Sequence, residues 1–287
     1  MVVTIFECIP IEVSLPIFAS ILIFLAGVCV NYIAERWKIY RQRKNLRKNV
    51  VVFLSGLIGM LKKYVENLRE LSLNIQKSDI MNPVSFEFVN VSVSYMDRFD
   101  INQVSDALLH GIKEYDKQKE TIRDNFYLYH VQLEYIKVAK QHIEQTYDEY
   151  RANIHRMTAK WSNLWVDLCS ELDKYTSMDD LPDEDKNKYQ EINALTMALT
   201  AEFIGKDIPL LKMEVYVRGV ISIIGLSHSR NFDHMMEIVS MMLRFIYERK
   251  SANGYAQKFD QYATSFAQVT AKLEEILKFY QGCETRW

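Results

Sequence analysis

The chain has 287 residues, 35 Lys and Arg against 37 Asp and Glu, and a net charge of −2. Nine Gly and five Pro are few for this length, which disfavours a turn-rich β fold and favours long, uninterrupted helices. The near-neutral balance lacks the basic excess of a general nucleic-acid binder.

The first element is an apolar run from Leu15 to Ala34 that carries no charge and has Asn31 as its only strongly polar residue. About 20 residues rising ~1.5 Å each match the ~30 Å hydrocarbon core of a bilayer. Its eleven Leu, Ile, Phe and Val residues each favour insertion by about 0.3 to 0.6 kcal/mol. Residues 1–14 hold Glu7 and Glu12 and no basic residue. The other flank, 35–48, holds Arg36, Lys38, Arg41, Arg43, Lys44, Arg47 and Lys48 against Glu35, a charge of +6. The positive-inside bias predicts an extracytoplasmic N-terminus (1–14), a transmembrane helix (15–34) and a cytoplasmic remainder. A cleaved signal peptide would need a basic leader, a shorter apolar core and a small-residue cleavage site, and the run has none of these. The basic residues, with Trp37 and Tyr40 at headgroup depth, predict contact with anionic lipid.

Removing the −2 of residues 1–34 and the +6 of residues 35–48 leaves −6 on residues 49–287. This acidic part is expected to repel nucleic acid and to fold as a cytoplasmic helical bundle, large enough for one big or two small cores. Leu46, Val50, Phe53, Leu57, Leu61, Tyr64, Leu68, Leu71 and Ile75 repeat at helical spacing. No Pro or Gly separates them from Asn31, so the membrane helix is expected to run on, ending by Asn82-Pro83. Residues 84–95 alternate weakly through Val89, Val91, Val93 and Tyr95, as an extended crossover or a strand that pairs with another subunit.

From Ile122 to Tyr175 two rows in steps of seven, starting at Ile122 and Phe126, cover fifteen positions of which only Lys140 is polar. A 3.5-residue repeat kept this long predicts one helix ~80 Å long with a buried seam. Pro182 among Asp179, Asp180, Asp183, Glu184 and Asp185 reads as a helix start. That helix should run to about Ile204, with Gly205 as its C-cap. Pro209 opens a short apolar helix to Leu226. A last helix is expected from about Asn231 to Tyr280, with a heptad at Tyr255, Phe259, Tyr262, Phe266, Val269, Leu273, Ile276 and Tyr280. Aromatic seams suit three- or four-helix packing better than a slim two-stranded coil. The expected fold is all-α: one N-terminal transmembrane helix, then an elongated cytoplasmic bundle of long heptad-patterned helices.

The six histidines make no Glu-x-x-His or His-Glu-x-x-His arrangement, and the four cysteines Cys8, Cys29, Cys169 and Cys283 are scattered. Neither a metal site nor a disulfide framework is read from them. No glycine-rich phosphate loop or nucleophile elbow is present, so no cofactor is expected and catalysis is not favoured. The octapeptide Arg123 to His130 resembles the Arg–polar–His pattern of the all-α HEPN ribonucleases. That resemblance implies cleavage of RNA, with Arg123 and His130 from two protomers meeting at a phosphate; the other reading is a solvated helix surface. The segment Leu210 to Leu226, interrupted by Lys212, Glu214 and Arg218, reads as a bundle helix. Met235, Met236, Met241 and Met242 read as core filling.

Within the membrane run Ala19 and Ala26, and Ser20 and Gly27, form two rows of small residues spaced for close helix approach. Together these features predict a membrane-tethered protein that acts by homo-oligomerisation and contact with a protein partner. In layout it resembles the membrane-anchored all-helical effectors of bacterial anti-phage and CRISPR-accessory systems, which implies membrane perturbation on activation. A passive coiled-coil scaffold or tether is the remaining alternative.

Overall fold

The computed structural model describes residues 11–93, 100–113, 115–176, 178, 180–225, 229–251 and 253–285. Seven α-helices carry the described chain: α1 (Ile11–Lys77), α2 (Ile101–Ser105), α3 (Lys119–Thr176), α4 (Asp183–Glu202), α5 (Leu210–Gly225), α6 (Asp233–Ser251) and α7 (Asn253–Gly282). One π-turn (Asp106–His110) follows α2, and a 3-10 turn (Arg230–Phe232) precedes α6. There is no strand among the described residues; the only β feature there is a bridge between Ile112 and Thr285.

The apolar run and the amphipathic segment after it form one helix of 67 residues, about 100 Å by its rise. Pro16 lies close to its start. The heptad rows of residues 122–175 are likewise one helix of 58 residues. Of their fifteen positions only Phe126 and Lys140 are not buried. The C-terminal segment that carries the last heptad is helical on both α6 and α7. The Ser251 hydroxyl donates to the Glu248 carbonyl at 2.7 Å, drawing on the last turn of α6. Gly205 follows α4 with φ of +70°, the left-handed conformation that ends a helix cheaply only with glycine.

The chain divides into two compact units. The first comprises Met1–Gly59, Val91–Tyr135 and Val269–Trp287. Its core packs Val50, Leu54 and Leu57 of α1, Leu108 after α2, Ile122 and Tyr129 of α3, and Leu273 and Tyr280 of α7, all buried. The second comprises Met60–Asn90 and Ile136–Gln268. One part of its core joins the end of α3 (Trp161, Leu168) to α4 (Ile192), α5 (Val217, Val220) and α6 (Met242, Ile246). Met235 and Met242 are buried there, whereas Met241 lies outward, so the methionine group is only partly core. Helix α5 buries Met213, Val217 and Val220 and exposes Leu211 and Val215, a one-sided helix as expected for a bundle.

The other part of the second core is aromatic and holds residues 83–90, which have no regular structure. Tyr147 stands 5.3 Å from Phe88 and 5.9 Å from Phe86, and Tyr64 5.3 Å from Phe266. Two phenols replace the missing strand partner. Tyr150 Oη accepts from the Val84 amide at 3.0 Å, and Tyr147 Oη donates to the Val84 carbonyl at 3.1 Å. Both backbone groups of Val84 are thus satisfied by side chains. Arg249 in the last turn of α6 is 1% exposed. Its Nη2 donates to Ser78 Oγ at 2.9 Å, and burial pulls its pKa down.

Candidate membrane anchor and juxtamembrane site

Every residue from Leu15 to Lys38 is exposed. The most apolar window of α1 has a mean hydropathy of 2.3, and none of it is buried. Ile23 and Phe24 show 74% and 70% of their surface. Among the described residues this is the one helix long and apolar enough to cross a membrane. A core helix of the same composition would be covered by its neighbours, and this one is bare. Ser20 Oγ donates to the Pro16 carbonyl at 2.8 Å, so its hydroxyl is satisfied within the helix. Ala19, Ser20, Ala26 and Gly27 are all exposed, and a Cβ built on Gly27 meets nothing within 4 Å.

Three aromatic–cation pairs at i,i+4 follow. The Arg36 guanidinium lies 5.3 Å from the Tyr32 ring centre, Arg41 5.5 Å from Trp37, and the Lys44 ammonium 5.9 Å from Tyr40. Arg36 Nε also donates to Tyr32 Oη at 3.0 Å. Each exposed stacking of this kind stabilises by about 0.5 to 1 kcal/mol. Arg36, Lys38, Arg41, Lys44 and Lys48 are exposed and have no acidic partner among the described residues.

The remaining two cations of the basic segment point into the first unit. Arg43 Nε and Nη2 each donate to an Asp106 carboxylate oxygen at 2.7 Å, a bidentate pair. Arg47 is 8% exposed; it donates to the Glu284 carbonyl at 3.1 Å and to the Thr285 hydroxyl. The Glu284 carbonyl also accepts from the Lys113 amide at 3.0 Å, and its carboxylate pairs with the Lys113 ammonium at 2.8 Å. Lys113 holds the Glu284 carboxyl below its ordinary range. Gly111 makes this junction possible. A Cβ there would stand 2.8 Å from the Ala107 carbonyl oxygen and 3.2 Å from Arg43 Cδ. Of the eight residues expected at lipid headgroups, the structure thus places Arg36, Trp37, Lys38, Arg41, Lys44 and Lys48 outward, and engages Arg43 and Arg47 within the protein.

The Arg123–His130 pattern lies in the first unit. Arg123 is exposed and His130 half-buried. The His130 ring meets Phe126 at 4.6 Å and Tyr129 at 4.9 Å, edge to face, and its Nε2 is enclosed with no hydrogen-bond partner. Burial lowers its pKa below the ordinary 6.5, opposed by the charge of Glu134. A general acid at a phosphate needs that nitrogen open to its substrate; here it is enclosed. The linkage sign is definite. Just below pH 6.5 the unfolded chain takes up a proton that folded His130 resists, so this histidine lowers stability as pH falls through that region. Replacing His130 with Leu is expected to flatten the fall in stability between about pH 7 and 5, measured as denaturant midpoints of variant against wild type. An unchanged pH slope contradicts the enclosed imidazole.

Among the described residues no three His, Cys, Asp or Glu side chains gather as a metal site. No protein-family model matches the chain, and no curated protein matches it significantly.

Proposed function

We propose that this is a single-pass, membrane-tethered helical protein that acts by association with copies of itself and contact with a protein partner, not by catalysis. The observation that carries this reading is the bare apolar length of α1 from Leu15, continuous with the same helix that lines the folded core. An uncovered apolar surface of this size needs a solvent other than water, and its length suits lipid. The basic flank from Arg36 onward favours a cytoplasmic folded part. Tethering confines copies to two dimensions and so raises their effective concentration.

Membranes washed in alkaline carbonate are expected to retain the full chain in the pellet. Its release to the supernatant overturns the tether. Association is read separately with Gly27→Ile. A Cβ at this position meets nothing within 4 Å, so the substitution tests contact between helices. Smaller detergent-solubilised assemblies by light scattering are the expected result, and unchanged mass places the contact elsewhere.

A further inference from the structure

We infer that Arg36, Lys38 and Arg41 form a collar that binds the phosphate of anionic phospholipid, with Lys44 at its outer margin, whereas Lys48 lies beyond contact. This rests on the membrane-anchor reading above and names the lipid class it meets. Three observations carry it. First, these cations are exposed and lack acidic partners among the described residues, while Arg43 and Arg47 in the same segment are consumed by Asp106, Glu284 and Thr285.

Second, the stacking partners set the height of the charge. Side chains on a helix lean toward its N-terminus, which here is the apolar end. Arg36 lies over Tyr32 and Arg41 over Trp37, each four residues back, so each charge stands about 6 Å nearer the apolar run than its own backbone. Third, the headgroup layer is roughly 5 to 8 Å thick on each side of the hydrocarbon. Counted from Ala34 at ~1.5 Å per residue, the charges of Arg36, Lys38 and Arg41 fall within or at the inner edge of that layer. Lys44, leaning on Tyr40, reaches about 9 Å, and the Lys48 backbone is about 21 Å out, some 13 to 16 Å beyond that layer and more than one Debye length at physiological salt. A nucleic-acid phosphate would have to enter the layer the headgroups already fill, so the depth of the collar favours lipid.

The test uses full-length protein reconstituted in phosphatidylcholine vesicles containing a minor fraction of phosphatidylglycerol. After flotation, the protein is extracted in mild detergent and its retained lipid is quantified. R36Q/R41Q is compared with K48Q/K63Q, which removes the same charge from exposed sites farther along α1. Wild type and K48Q/K63Q are expected to retain phosphatidylglycerol above its bulk fraction, and R36Q/R41Q to return to the bulk fraction. Equal enrichment in all three overturns the collar while leaving the tether intact; failure of the wild type to float removes the tether itself. RNA binding by wild type that disappears in R36Q/R41Q assigns the cations to nucleic acid and also overturns the inference.

Discussion

Replacing Leu22 and Leu25 together with Arg is expected to move the protein from the membrane pellet to the soluble fraction or to aggregates. Both leucines are half exposed or more, at 55% and 51%, and touch no core, so the change leaves the packed units alone. The eleven large apolar residues of the run contribute roughly 3 to 7 kcal/mol toward insertion in total. Two arginines near the centre oppose it by about 5 to 7 kcal/mol, enough to cancel the whole gain. Single changes will be milder, because one arginine can snorkel and thin the bilayer locally. Fractionation with the far-UV spectrum as a control for folding decides the matter. A double variant that remains in carbonate-washed membranes removes the apolar run as the cause of attachment.

Tyr147→Ala is expected to destabilise the second unit by about 3 to 5 kcal/mol, a large share of a domain's usual 5 to 15. The ring is 6% exposed and lies within 5.3 to 6.5 Å of Phe88, Phe86, Tyr150 and Phe259. Its truncation leaves a cavity and also removes the donor to the Val84 carbonyl. Tyr147→Phe keeps the ring and loses only the hydrogen bond, so about 1 kcal/mol is expected. Urea midpoints of the three proteins separate the two contributions. A cost for alanine no greater than that for phenylalanine contradicts a packed aromatic core here.

Much of this architecture is legible in residue spacing. The seven-residue rows place α3 within a few residues of Lys119–Thr176, and the absence of breakers after Asn31 anticipates the long α1. What pattern reading misses is where polar groups interrupt it. Arg43 and Arg47 continue the buried row of Val50, Leu54, Leu57 and Leu61 backward at spacings of four and three. Charge alone assigns them to the outer face; the row assigns them inward. Their partners, Asp106 and residues 284–285, are remote in sequence, and nothing local names them. Residues 84–93 alternate as a strand does, yet the backbone of Val84 is met by phenols from α3, a choice made by tertiary packing.

The bond from Arg47 to the Glu284 carbonyl joins positions 237 residues apart. At ribosomal speeds of about 5 to 20 residues per second, some ten to fifty seconds separate the emergence of one from that of the other. On the membrane-anchor reading proposed above, the apolar run meets the insertion machinery long before the first unit can close. Asp106 follows Arg43 by only 63 residues, so on that reading Arg47 is the cation left bare longest beside the apolar run, until residues 284 and 285 emerge.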